Sequence, residues 1–256
     1  MPKKVKRVIV TPDKHFPLHH EPSINVLIKT IYKVRPDAYV DLGDLGEWTS
    51  VSHWQWKKKK RPPLEYQLPS VDKEIEEVNA GLDIIDNALR EVKCTEKYMI
   101  EGNHDDWLNR FVEENPYLKG YKFKDALRLK ERGYKYYENG KYLKLGKLYL
   151  YHGNHYAGMA HARNHLLRLG CNIMYGHHHD LQQASVTHMD GPKSAWSIGC
   201  LKDMSSESNS FLGNRQTNWS HAFAIVDFFN NGYFTVHILQ IINGITSLWG
   251  EIIDGN

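Results

Sequence analysis

Hydrophobic residues along this chain fall into short runs that close on polar side chains able to bind ligands, and the arrangement recurs five times. Val8-Ile9-Val10 leads into Thr11-Pro12-Asp13-Lys14-His15, and Ala38-Tyr39-Val40 into Asp41-Leu42-Gly43-Asp44. Tyr98-Met99-Ile100 leads into Glu101-Gly102-Asn103-His104-Asp105. Leu148-Tyr149-Leu150-Tyr151 ends on His152-Gly153, and Ile173-Met174-Tyr175 on Gly176-His177-His178-His179. Short apolar runs bounded by turn residues predict buried strands. The polar residues that close them then gather at strand ends, where open α/β sheets keep their sites.

Between the runs the spacing becomes helical. Ile24, Leu27, Ile28 and Ile31 predict a helix over about 23–34, ended by Arg35-Pro36-Asp37 because proline disfavours helix at the residue before it. Ile75, Val78, Leu82, Ile85 and Leu89 share one face of a second helix over about 71–92. A helical pattern runs from Asp105 to Gly133 with a break at Asn115-Pro116, and another covers 158–169. Residues 134–151 read as strands with a hairpin about Lys144-Leu145-Gly146-Lys147. Asp190-Gly191 and Asn230-Asn231-Gly232 punctuate two further hairpins, 203–220 reads as loop, and a last strand-like run covers 245–253. Helices alternating with strands, followed by hairpins, predict a layered α/β protein with two packed mixed sheets flanked by α-helices.

The length of 256 residues suits a single domain over 1–256. Residues 49–70 keep neither period and are aromatic, basic and proline-bearing, so they read as a loop excursion of functional length. No apolar run approaches the ~20 residues of a membrane helix. The charged opening Met1 to Arg7 leads into a run too brief for a signal peptide, and a cytoplasmic protein with no membrane partner is expected. Cys94, Cys171 and Cys200 form no Cys-x-x-Cys pair, so reduced thiols are expected. The net charge of +3 is mild, but Lys57-Lys58-Lys59-Lys60-Arg61 stands beside Trp54 and Trp56. Such a run is ordinarily a solvated cluster; its functional reading is a patch that tracks phosphates while the tryptophans stack on bases.

The five strand ends supply Asp13, His15, Asp44, Asn103, His152, His177 and His179. Carboxylate, imidazole and one amide oxygen without thiolate suit Mn²⁺, Fe²⁺ or Zn²⁺, with Ni²⁺ also admissible and Mn²⁺ expected first. Seven ligands exceed the needs of one ion with open positions, so two ions sharing a carboxylate are expected. Ions about 3.5–4 Å apart bind a phosphoryl oxygen, lower the pKa of a bridging water and stabilise an in-line displacement. Phosphate esters are the natural substrates. His104, next to Asn103, is the candidate general acid, since imidazolium supplies a proton near neutral pH.

Each motif alone has an ordinary explanation: Asp13 starts a turn, Asn103 tolerates left-handed backbone, His152 is a satisfied core histidine. Five together, each at a strand end, favour the metal reading. His161 and His165 are four apart on a helix, but Ala162 stands where His-Glu-x-x-His enzymes carry glutamate. A partly exposed helix face is expected there, not a separate zinc site. His178, between two proposed ligands, is expected to point away from the ions.

In order and content these stretches resemble the calcineurin-like metallophosphoesterase family, whose pattern is Asp-x-His, Gly-Asp-x-x-Asp, Gly-Asn-His-Asp/Glu, a lone His beside Gly, and Gly-His-x-His. Asp13-Lys14-His15, Gly43-Asp44-Leu45-Gly46-Glu47, Gly102-Asn103-His104-Asp105, His152-Gly153 and Gly176-His177-His178-His179 are the matching stretches. Ser197-Ile198-Gly199-Cys200-Leu201 looks like a degenerate form of the family's Asn-Pro-Gly-Ser-Leu. The resemblance implies a four-layer sandwich and two ions. Asp13, His15 and His179 would hold one and Asn103, His152 and His177 the other, with Asp44 bridging and His104 meeting the leaving group.

Two details depart from the family or narrow it. Glu47 replaces the aspartate that often orients the catalytic histidine, with Asp105 as the other candidate partner of His104. The arginine that follows this acid in the protein serine/threonine phosphatases is Trp48 here, which argues against that branch. A phosphodiesterase or nuclease acting on DNA, RNA or a nucleotide is expected, though only the basic aromatic stretch speaks for nucleic acid. The alternatives are a phosphomonoesterase acting on a small molecule or protein, or a metal-bearing scaffold without catalysis.

Overall fold

Val8 and Val10 face one way from the first strand and Ile9 the other, all three with no exposed surface. Both faces of that strand are therefore covered, as parallel strands require. The computed structural model describes residues 5–213 and 215–256. In chain order the elements are β1 (Lys6–Thr11), α1 (Glu21–Val34), β2 (Ala38–Asp41), α2 (His53–Trp56), α3 (Leu64–Glu91), β3 (Glu96–Ile100), α4 (Asn103–Glu114), α5 (Phe123–Ala126) and β4 (Tyr134–Tyr137). They continue with β5 (Leu143–Leu145), β6 (Leu148–Leu150), α6 (His161–Leu169), β7 (Asn172–Tyr175), β8 (Leu181–His188), β9 (Gly191–Ile198), β10 (His221–Phe228), β11 (Phe234–Ile241), β12 (Ile245–Leu248) and β13 (Glu251–Asp254).

One sheet has the order β11-β10-β1-β2-β3-β4, with β1 to β4 parallel and β10 antiparallel to β1. The other has the order β5-β6-β7-β9-β8, with β6, β7 and β9 parallel and an antiparallel strand at each edge. Val8, Val10, Val40 and Ile100 of the first meet Leu148, Leu150, Met174 and Ile198 of the second. On its far side the first sheet packs Ile9, Tyr39 and Met99 under Leu27 and Ile31 of α1 and Leu82 and Ile85 of α3. The second sheet packs Tyr151, Ile173 and Tyr175 under Ala162 and Leu166 of α6. The result is four layers, two mixed sheets between helices.

Several boundaries differ from the sequence reading. The excursion assigned to 49–70 ends at 63, because α3 begins at Leu64 and carries Pro69 within it. Pro69, the sixth residue of α3, gives up only the one bond that its N–H would make to the Glu65 carbonyl, and the helix continues through it. Beyond α4 the helical pattern yields only single turns such as α5, and β4 joins the first sheet while β5 and β6 join the second. The final run folds into the β12–β13 hairpin. Among the described residues no helix is long and apolar enough to cross a membrane.

Candidate metal centre and active site

The loops after β1 and β2 are zipped together. Lys14 N and His15 N donate to the Asp44 carbonyl at 3.1 and 3.0 Å, and Glu47 N donates to the Phe16 carbonyl at 3.0 Å. Gly43 has φ +96, and a Cβ there would lie 2.3 Å from Gly102 N, so only glycine lets the loops after β2 and β3 touch. From the second sheet, His177 N donates to the Asp13 carboxylate at 2.9 Å. Beneath the loops Lys14 is fully buried, its ammonium 2.8 Å from an equally buried Asp41. His15, Asp44, His177 and His179 adopt φ of 53, 46, 65 and 62. Left-handed backbone is uncommon outside glycine and gathers at functional sites.

All seven proposed ligands are brought together. Asp13, His15, Asp44 and His179 form one group of converging donor atoms, and Asp44, His152 and His177 another. Asn103 joins the second group, its Oδ1 2.9 Å from His152 Nε2. Asp44 is common to both, with Oδ2 3.3 Å from His152 Nε2 and 3.8 Å from His15 Nε2. His15 Nε2 faces His179 Nε2 at 3.2 Å, and His177 Nδ1 faces His152 Nε2 at 3.2 Å. Bonds of about 2.1 Å to one ion place neighbouring ligand atoms roughly 3.0–3.4 Å apart, the spacing of these pairs.

Electrostatics fit the same purpose. Burial holds His15 down at about 4 and His177 at about 3, and pushes His179 well below the ordinary imidazole value. Each is a neutral ring with a lone pair to give. The buried His179 Nδ1 has no hydrogen-bond partner among the described residues. Burial also opposes charge on His152, but Asp44 and Asp13 outweigh it and hold its pKa up at about 9. His152 Nδ1–H donates to the Leu42 carbonyl at 2.9 Å, which turns Nε2 toward the donor set. Buried acids with three neutral imidazoles, joined by His152 once a bound cation displaces its proton, fit divalent ions at these spacings.

The partners assigned to His104 need correction. Its Nδ1–H donates to the Glu47 backbone carbonyl at 3.0 Å, not to a carboxylate. The Glu47 side chain instead lies 2.8 Å from His15 Nδ1 and accepts from Lys202 Nζ at 2.5 Å. Asp105 is fully buried and accepts from Leu45 N, Gly46 N, Gly102 N and Trp48 Nε1, fixing the loop that carries Asp44. Both acids position the site through other groups. The residue pattern assigns no role to Lys14, which lies inside the first motif, or to Lys202, which directly follows the degenerate Gly-Cys-Leu segment. Leu201 N of that segment donates to the Asp13 carbonyl at 2.8 Å.

His161 and His165 are buried at 3% and 0% exposure, against the expected partly exposed face. The face they share packs on the outer side of the second sheet. His161 bonds Asp180 at 2.9 Å and Tyr175 OH at 2.8 Å, and His165 contacts Tyr151 OH. His178 points away from the donor set and stacks on His161 at 3.8 Å.

Burial holds His165 down at about 4, below its unfolded value near 6.5. Its contribution to stability is complete above about pH 6.5 and is lost as pH falls from there toward 4. The urea midpoint is expected to drop between pH 7 and pH 5, and to drop less in His165→Gln, whose side chain cannot be protonated. Parallel pH profiles for the two proteins would contradict this.

A cleft of about 690 Å³ opens over the donor set, with His15, Asn103, His104 and His179 at its base and Trp54, Trp107, Phe211 and Trp219 on its walls. Trp54 is 61% exposed, with Lys57 Nζ 5.0 Å over its ring. Trp56, paired with Trp54 as a stacking residue in the sequence reading, turns inward and donates to the Ser50 carbonyl at 3.2 Å. Arg61 is tied to Glu114, whereas Lys58, Lys59 and Lys60 are exposed.

The chain is 22% identical to the Gene 54 protein of Mycobacterium phage L5 over 261 residues, covering 96% of this chain and 98% of that protein. No protein-family model matches it. Among solved structures, a Vps29 single mutant from Entamoeba histolytica is 14% identical with a TM-score of 0.49, over 98% of this chain and 99% of that one. YfcE, a phosphoesterase from E. coli, is 13% identical with a TM-score of 0.39, over 90% of this chain and 98% of that one.

Proposed function

We propose that this protein is a dinuclear-metal phosphoesterase of the calcineurin-like kind, cleaving phosphodiesters in nucleic acid or nucleotides. The observation that carries the reading is the convergence of seven donor residues into two groups that share Asp44, with His104 beside them. Asp13, His15 and His179 would hold one ion, Asn103, His152 and His177 the other, and Asp44 both, with Mn²⁺ expected first. Two divalent ions there supply Lewis acidity toward a phosphoryl oxygen and a nucleophile at neutral pH.

The remaining work falls to the chain. With Nδ1–H committed to the Glu47 carbonyl, His104 turns Nε2 to the cleft, where it can protonate a departing ester oxygen. Trp54, Phe211 and Trp219 line the cleft and are available to stack on a base next to the scissile bond, and the exposed lysines of 58–60, a few residues after Trp54 in the chain, are available to a phosphate backbone.

The test uses chelator-stripped protein reloaded with Mn²⁺, assayed on bis(p-nitrophenyl) phosphate, p-nitrophenyl phosphate, single-stranded DNA, RNA and cyclic nucleotides. The expected result is metal-dependent hydrolysis with the diester preferred over the monoester by at least about tenfold, the worth of ~1.4 kcal/mol in the transition state. A preference for the monoester would transfer the substrate to phosphomonoesters. Absence of hydrolysis with every divalent ion would leave a scaffold.

A further inference from the structure

The segment after β9 brings a buried cation to the cleft. Lys202 is only 2% exposed yet lines the cleft beside His15, Glu47 and His104. It is the one lysine or arginine among the cleft's described lining residues. Its main chain is held in place, bridging to His19 and accepting from His221 Nε2 at 2.8 Å. Its side chain therefore approaches the donor set from a fixed base.

An ammonium carries three N–H donors, and buried polar groups are nearly always satisfied. Among the described residues Lys202 Nζ has a single hydrogen-bond partner, Glu47 Oε2 at 2.5 Å. That same oxygen lies 2.8 Å from His15 Nδ1, so one carboxylate atom serves both groups. Lys202 is thus anchored by Glu47 but not saturated by it, and it retains two donors at the wall of a cleft whose base is the donor set. A cation that served only to neutralise Glu47 would not need this place.

We propose that Lys202 grips a non-bridging oxygen of the substrate's phosphate while Glu47 holds the ammonium in position. The assignment rests on the phosphoesterase reading and deepens it. It gives the site a fixed positive charge that remains when the ester bond breaks, so the phosphate product is held by the same contact. Trp48 follows Glu47, so the Asp44 loop offers no cation for that task.

The probe is inorganic phosphate, titrated calorimetrically into Mn²⁺-loaded wild-type and Lys202→Met protein, with bound metal measured on the same samples. The expected result is equal metal content, with phosphate binding weakened on the order of 10- to 100-fold in Lys202→Met, the worth of one charge-assisted hydrogen bond. Lys202→Arg should recover part of the loss. Equal phosphate affinity in wild type and Lys202→Met overturns the assignment. Loss of metal in step with phosphate also overturns it, since Lys202 would then be a brace for His15 and Glu47. If circular dichroism finds Lys202→Met unfolded, the same comparison on Lys202→Gln decides by the same criteria. Wild-type protein that holds metal, binds no phosphate and cleaves no ester overturns the phosphoesterase reading and this proposal with it.

Discussion

Asp44→Asn is expected to strip the centre of its ions and to lower kcat/KM on a diester by on the order of 1,000-fold or more, the several kcal/mol that Lewis-acid stabilisation is worth. Asp44 is the only residue common to both donor groups. Its Oδ2 lies 3.3 Å from His152 Nε2 and 3.8 Å from His15 Nε2, while Oδ1 accepts from His104 N at 2.8 Å. Asparagine keeps the volume, keeps an oxygen for the His104 amide and tolerates the left-handed backbone at φ 46. The substitution therefore removes the anion with little change of shape. Metal per chain, measured after gel filtration, should fall well below wild type across added Mn²⁺, while circular dichroism stays unchanged. A variant that retains two equivalents would mean that the two groups do not depend on a shared carboxylate.

The donor set was legible because each member closes an apolar run that needs burial on both faces. Val8 to Val10, Val40 and Met174 can only be strand interiors, so Asp13, Asp44 and His177 had to emerge at strand ends. What the sequence did not carry were contacts made through backbone or across large separations. Glu47 was paired with His104 on the expectation of a side-chain bond, whereas the bond runs through the Glu47 carbonyl and the carboxylate turns to His15. Such a choice depends on loop geometry that residue identity does not encode. Lys202 meets Glu47 across 155 positions, with no periodicity to link them. Spacing placed His161 and His165 on one helix face, but not what that face covers. Its partners, Tyr151 and Tyr175, sit next to His152 and Gly176 and face outward from the second sheet, as strand alternation requires. Leu64 to Ser70 reads as part of the excursion because it continues an aromatic, basic and proline-bearing stretch, although the helix runs through Pro69.

His104→Asn is expected to separate metal binding from proton transfer. No donor group depends on the His104 side chain except the one it forms with His15 and Glu47, so both groups that share Asp44 remain. Its backbone N–H, which donates to Asp44 Oδ1, is present in asparagine as well. The variant loses the ring that packs on Trp107 at 3.9 Å and edge-on to His15 at 4.7 Å, with Nδ1–H fixed on the Glu47 carbonyl. Only Nε2 of that ring is free to give up a proton, and general-acid catalysis of this kind is worth about 10²- to 10⁴-fold. The loss should be greatest for leaving groups that need the proton. Across aryl diesters of rising phenol pKa, rates of His104→Asn should fall further below wild type, the deficit nearly vanishing for nitrophenyl esters and reaching its full size for alkyl esters. A uniform deficit across the series would make His104 a phosphate ligand instead of an acid, and no deficit at all would remove it from the chemistry.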